Sequence, residues 1–306
     1  MSIMSWASRG PGRRRDRSLV AVAQATDELP ERSVLLSSAL AVVSVITIWF
    51  LAQMLVLGGL EHERSQDRLY GDFRAELADG TAPTGGVVAP GRPVALMSVP
   101  SLGIQEVVVE GTSSGHLLGG PGHRRDTVLP GQAGVSVLYG RSTTFGRPFD
   151  AMLHDAVGRH LQVVTGQGRS TYRIERIRRP GDPVAAPPAE GQGRMTLVTS
   201  EGSGPLAALR PGRVVYVEAS LQSKAFAPGG QRVNTIASSE RPMAGDASVL
   251  PMLALTLGGL LVAVVGVVLA RRRFGPLVTW TLAVPVVAAL GWFAGDLALH
   301  LFPNVV

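Results

Sequence analysis

The sequence predicts a mainly β fold: a closed β-barrel domain held to a membrane by three transmembrane α-helices. Three observations predict it. Residues 34–60, 249–270 and 276–302 are long apolar runs, each sufficient to cross the ~30 Å hydrocarbon layer as a helix. Between the first two, residues 93–221 break into short β-rich runs separated by Gly and Pro turns, the pattern of a closed or partly closed barrel. Residues 1–32 and 271–273 together carry nine arginines against four acidic residues, whereas 61–246 carries twenty basic and eighteen acidic. The excess of charge thus flanks the apolar runs, as in membrane proteins whose basic segments stay inside.

Taken in order, residues 1–33 are a polar, Arg-rich cytoplasmic tail. Residues 34–60 contain no charge and have Gln53 as their most polar side chain. No small-x-small cleavage site precedes Glu61, so the run reads as an uncleaved anchor with its N-terminus inside. Residues 61–92 are a stalk and linker. Leu69, Phe73 and Leu77 form a narrow helical stripe broken at Gly71, and a Gly/Pro/Thr-rich link follows. Candidate strands are Val94–Val99, Gln105–Val109, Val135–Tyr139, Leu161–Thr165, Ser170–Ile177, Met195–Thr199 and Val214–Ala219.

Residues 222–248 form a linker back to the bilayer, and 249–270 a second span. Residues 271–275 are a cytoplasmic turn, and 276–302 a third span, kinked at Pro285. This topology places the 93–221 domain and Val306 outside. Gly291 and Gly295 have the spacing that lets helix backbones approach, and packing of the last two spans on each other is expected. Asp296 and His300 lie near the outer end, where interfacial water solvates them.

Cysteine is absent, which excludes disulfides, thiolate metal sites and a cysteine nucleophile. The net charge of +6 is not gathered on one folded face with interleaved aromatics, so no nucleic-acid partner is expected. Asp150 and Asp155 do not belong to a repeated ligand pattern, and the Gly-rich runs lack a following Lys-Ser/Thr. Neither metal nor cofactor is expected.

The stretch from Pro130 to Phe149, PGQAGVSVLYGRSTTFGRPF, is a turn, an apolar strand and a glycine-pinned polar loop. A strand end followed by such a loop rigidly aims a functional side chain. It resembles the sortase signature, in which a Gly-His-Arg-Thr-Thr-Tyr-Gly run follows the strand. Gly140, Thr143, Thr144 and Gly146 are kept, Phe145 supplies the aromatic, and Arg141 stands where the family has its catalytic histidine. Val99–Ile104 with Val109–Thr112 resembles the opening strand pair, and Gly119–His123 and Leu129–Gly134 the next loop, especially in actinobacterial class E forms. Thr196–Ser200 resembles the Thr-Leu-x-Thr-Cys strand end, with Ser200 in place of cysteine, and Arg213–Val217 the last strand with its catalytic arginine. The abundance of Arg, Gly, Ala and Val fits a high-GC Gram-positive source.

The resemblance implies a sortase-like barrel and a transpeptidation. A cysteine attacks a peptide carbonyl, arginine steadies the oxyanion, histidine moves the proton and an amine takes the acyl group. A serine hydroxyl is a weak nucleophile without a base, and a guanidinium is neither acid nor base near neutrality. The reading is therefore a catalytically degenerate pseudo-sortase that binds, scaffolds or regulates at the cell envelope. Its expected partners are the lipid bilayer, a membrane or cell-surface protein and a peptide in the cleft.

Arg141, Thr143, Thr199, Ser200 and Arg213 are the cleft candidates. Arg141 and Arg213 are expected in one cleft, with Glu201 or Glu218 neutralising one of them, or as a pocket for an anion or peptide carboxylate. Two alternatives stand beside this reading. One is an active acyltransferase or peptidase using Ser200, assisted by His116, His123, His154 or His160. The other is a structural subunit of a membrane complex.

Overall fold

The computed structural model describes residues 57–202, 212–274 and 276–306, and before them residues 44, 47–49 and 51–53. The chain divides into two compact units, 1–51 and 52–306. The expected tail, 1–33, and most of the expected span 34–60 lie outside the described residues. The elements in chain order are α1 (Gly58–Ala78), β1 (Pro93–Val99), β2 (Ile104–Glu110), α2 (His116–Gly119), β3 (Gly122–His123) and β4 (Gly134–Tyr139). There follow α3 (Met152–Asp155), β5 (His160–Thr165), β6 (Gly168–Arg178), β7 (Gly193–Glu201), β8 (Arg213–Leu221), α4 (Leu250–Phe274) and α5 (Pro276–Leu299).

The strands close into one barrel in the order β1-β2-β3-β4-β7-β8-β6-β5. All seven expected strands form, with bounds within two residues of those expected at either end. Period-two alternation is the cause: Tyr172 and Ile174 of β6, Met195 and Leu197 of β7, and Leu161 and Val163 of β5 are completely buried. Each such side chain contributes about 1.5–3 kcal/mol. The turn before β4 is tied into this core where the Gly131 N–H donates to the Tyr172 hydroxyl oxygen, 2.6 Å away.

Two pairings are parallel, β2 with β3 and β4 with β7. The second matters most, because it sets the carboxyl ends of β4 and β7 side by side. Tyr139 lies opposite Val198, Gly140 N–H donates to Val198 O at 3.0 Å, and Thr199 Oγ1 donates to Gly140 O at 2.7 Å. Residues 141 and 200 are thereby neighbours. On the outer face of these strands, Val137, Tyr139 and Val198 form a second, smaller apolar cluster with Leu117 and Val305.

Three sequence expectations are corrected. The 61–92 segment is not a projecting stalk broken at Gly71: α1 is continuous and lies on the barrel. Phe73 is buried with Val107, and Leu69, Leu77 and Leu96 pack around them. The Gln66 side chain accepts from Val107 N–H at 2.6 Å and donates to Gly119 O at 2.8 Å. A mid-helix glycine costs only about 1 kcal/mol, less than this docking returns.

Residues 222–248 are likewise laid against the domain. Ala133 N–H donates to Phe226 O and Phe226 N–H to Gly131 O, and Glu240 is buried. The expected turn at 271–275 is helical as far as Phe274, and residue 275 lies outside the described residues.

Two stretches, Ala247–Val267 and Thr281–Leu299, are long and apolar enough to cross a membrane, with mean hydropathies of 2.3 and 1.8. Only 6% and 28% of them is buried, so neither is the core helix of a water-soluble fold. Leu255, Leu261, Val262 and Leu282 stand largely exposed, a contiguous apolar surface that water disfavours. A Cβ on Gly295 would collide with Gln53 Oε1, whereas the Cβ position of Gly291 meets nothing within 4 Å. α4 and α5 do pack on each other, as expected, but Gly295 serves the approach of Gln53 to α5 and not that contact.

Candidate functional site

Arg141 follows β4 by one residue and is 2% exposed despite its charge. Its guanidinium has five N–H donors, matched by five acceptors. Nε donates to Leu117 O at 3.2 Å, Nη1 to Thr144 Oγ1 at 3.2 Å and to the main-chain oxygen of Val306 at 3.3 Å. Nη2 donates to Ser114 O at 3.3 Å and to Ser114 Oγ at 2.9 Å. The Phe145 ring lies beneath it, 5.2 Å from centroid to guanidinium carbon. Among the described residues no Asp or Glu side chain is hydrogen-bonded to this cation. Burial pushes its pKa down to about 9, which still leaves it protonated at neutral pH.

Ser200, near the end of β7, is 1% exposed. Its Oγ donates to the main-chain oxygen of Val305 at 2.8 Å and lies 3.2 Å from Ser142 Oγ. Ser142 Oγ in turn donates to Ser200 O at 2.5 Å. Thr144 Oγ1 donates to the Val306 oxygen at 2.6 Å. The cleft at the ends of β4 and β7 is thus lined by hydroxyls and one guanidinium, and the segment Asn304–Val306 lies in it.

The histidines are committed elsewhere. His123, fully buried, is held between Glu110 Oε2 at 2.8 Å and Val128 O at 2.9 Å. His116 Nδ1 pairs with Ser113 Oγ at 2.8 Å, and burial lowers its pKa. His154 is exposed beside Asp150, and His160 opens β5 opposite Arg173. Among the described residues no imidazole or carboxylate is hydrogen-bonded to Ser200.

The other candidates fall at different distances from this point. Thr199 locks β7 to Gly140 rather than facing a ligand. Thr143 Oγ1 is buried with no hydrogen-bond partner among the described residues. Arg213 opens β8 opposite Glu201, one position out of register with Ser200, which faces Val214. Side chains alternate along a strand, so exposed Arg213 stands on the other side of the strand pair.

Glu201 is held in two parallel hydrogen bonds by Arg179, at 2.8 and 2.7 Å. Glu218 accepts from Arg176 at 2.7 Å and Arg178 at 2.9 Å. Neither carboxylate reaches Arg141. Ser114, Ser142 and Thr144 were not singled out from the sequence as cleft candidates, and Thr144 carried the one available signal, its place in the loop after β4. Among the described residues no group of three or more His, Asp or Glu side chains could hold a metal ion.

The fold and site define a closed eight-stranded barrel-domain protein with a polar cleft at two parallel strand ends, followed by two helices long and apolar enough to cross a membrane. Residues 97–222, which hold most of the barrel, match the Sortase domain family. Among solved structures, sortase E from Streptomyces avermitilis is 24% identical over 50% of this chain and 100% of its own, with a TM-score of 0.36. The sortase D5 transpeptidase of Clostridium perfringens is 21% identical over 53% of this chain and 98% of its own, with a TM-score of 0.41. The SrtF sortase of Corynebacterium diphtheriae is 23% identical over 52% and 98%, with a TM-score of 0.39. No curated protein matches the chain.

Proposed function

We propose that this chain is a non-catalytic sortase-domain protein of the cell envelope, a module that binds a peptide segment and does not turn it over. One observation carries the reading. The Ser200 hydroxyl spends its proton on the Val305 oxygen, its only other partner among the described residues is the Ser142 hydroxyl, and the residue beside it is a buried guanidinium. A serine attacks a carbonyl only when a base takes its proton, and Arg141 cannot be that base near neutral pH. Without an activated nucleophile, exposed Arg213 has no developing oxyanion to steady.

The topology goes with this reading. Arg271–Arg273 at the end of α4 mark the inner side. The barrel, joined to the start of α4 and the end of α5, lies outside, and its partner is a membrane or cell-surface protein. The test is labelling by a fluorophosphonate, together with transfer of a peptide acyl group to an amine. Wild-type protein and Ser200→Ala are expected to behave alike in both. Labelling or turnover present in the wild type and lost in Ser200→Ala sinks the proposal.

A further inference from the structure

We infer that the Arg141–Ser200 cleft is a peptide receptor whose resident ligand is the chain's own Pro303–Val306 segment, docked in cis and exchangeable for a peptide of the same chemistry. The inference rests on the binding reading above and names its ligand. After α5 the chain turns back toward the barrel, where Asp246 N–H donates to His300 O at 2.8 Å and Asn304 N–H to Ala244 O at 3.0 Å. Asn304, completely buried, donates through Nδ2 to Thr112 O at 2.7 Å and Arg241 O at 2.9 Å. Val305, also completely buried, sits among Leu117, Val137, Tyr139 and Val198. The main-chain oxygens of Val305 and Val306 take the hydrogen bonds of Ser200, Thr144 and Arg141.

An apolar pocket for one side chain and fixed donors for successive main-chain oxygens are how proteins hold a peptide segment, here a turn in which Val306 N–H donates to Pro303 O at 3.5 Å. A segment that only completed a core would need apolar contact alone. Here three polar residues of the barrel domain, Arg141, Thr144 and Ser200, bond two successive backbone oxygens, and Ser114 and Ser142 hold Arg141 and Ser200 in place. With the segment gone, buried donors lose their acceptors, so the vacated cleft takes another peptide of this kind: asparagine, then a small branched apolar residue.

The chain has no cysteine, so Ser200→Cys places a single thiol in the cleft. In the full chain in membranes, alkylation by a water-soluble maleimide is expected to be at least about tenfold slower than in the same variant lacking residues 303–306, because attack must await local opening. A synthetic Leu-Phe-Pro-Asn-Val-Val peptide restores protection to the shortened variant, and a scrambled peptide does not. Equal rates with and without the segment overturn the inference, as does a peptide that leaves the thiol unprotected.

Val305→Arg in the Ser200→Cys chain opens the cleft without shortening it. That variant decides the matter if the shortened one loses cooperative unfolding: fast alkylation supports the inference, and an unchanged rate overturns it. Fluorophosphonate labelling of Ser200 in a chain that keeps the serine but lacks residues 303–306 separates the two readings. Labelling there sinks the non-catalytic reading and leaves the docked segment standing.

Discussion

Gly146 lies against the imidazole of His62, so that the loop after β4 is wedged on helix α1. Its φ of 75° is left-handed, between Phe145 at 48° and Arg147 at 50°. Gly146→Ala therefore meets two penalties: roughly 1–2 kcal/mol for a left-handed L-residue and about 1–3 kcal/mol for overpacking. Chemical denaturation in detergent should show the midpoint falling. An unchanged midpoint would mean that the loop is not held as described.

Arg141→Lys keeps the charge but offers three donors to five acceptors, and an ammonium is no substitute for the planar fork. A loss of roughly 1–3 kcal/mol follows from the acceptors left unpaired. A thermal scan that places Arg141→Lys level with wild type would remove the guanidinium from its structural role.

Tyr139 and Tyr172 give an alkaline signature. Burial pushes each up to about 12, against the lowering charge of Arg124 at Tyr139 and the hydrogen bond from Gly131 N–H at Tyr172. Between the ordinary tyrosine value of about 10 and 12, the unfolded chain has shed these protons and the folded chain holds them. Stability therefore falls as pH rises through that interval. Tyrosinate absorbance of the folded protein should include a late component, and Tyr139→Phe and Tyr172→Phe should each remove part of it.

Glu218 acts on the acid side. Its burial raises the pKa, but the hydrogen bonds and charges of Arg176 and Arg178 outweigh this, and the net shift is downward. Its contribution is present above the ordinary carboxylate value and is lost as pH falls toward the lowered folded one. Midpoint-against-pH curves should be flatter in the acid limb for Glu218→Gln. Parallel curves would show that the two arginines do not act on this carboxylate.

The barrel was legible because its strands alternate, and alternation is local. β3 was not: Gly122–His123 is too short to show a period and exists only through its partners β2 and β4. The packing of α1 was hidden by Gly71, since a propensity penalty is written in the sequence and the burial of Phe73 that offsets it is not. In the cleft, Arg141 and Ser200 could be paired through their strand ends. Ser142 and Ser200 are 58 positions apart and Arg141 and Val306 are 165 apart. No spacing rule joins such residues; the parallel β4–β7 ladder and the return of the chain after α5 do.

That return has a consequence in time. Every residue that walls the cleft is synthesised before the valines that fill it. At roughly 5–20 residues per second, translation gives the domain some seconds to close its sheet while α4 and α5 are still being made. On the receptor inference above, a newborn molecule is receptive throughout that interval, and a peptide nearby competes with a segment not yet made. Maturation is then a race, and the finished protein is the one in which its own segment won.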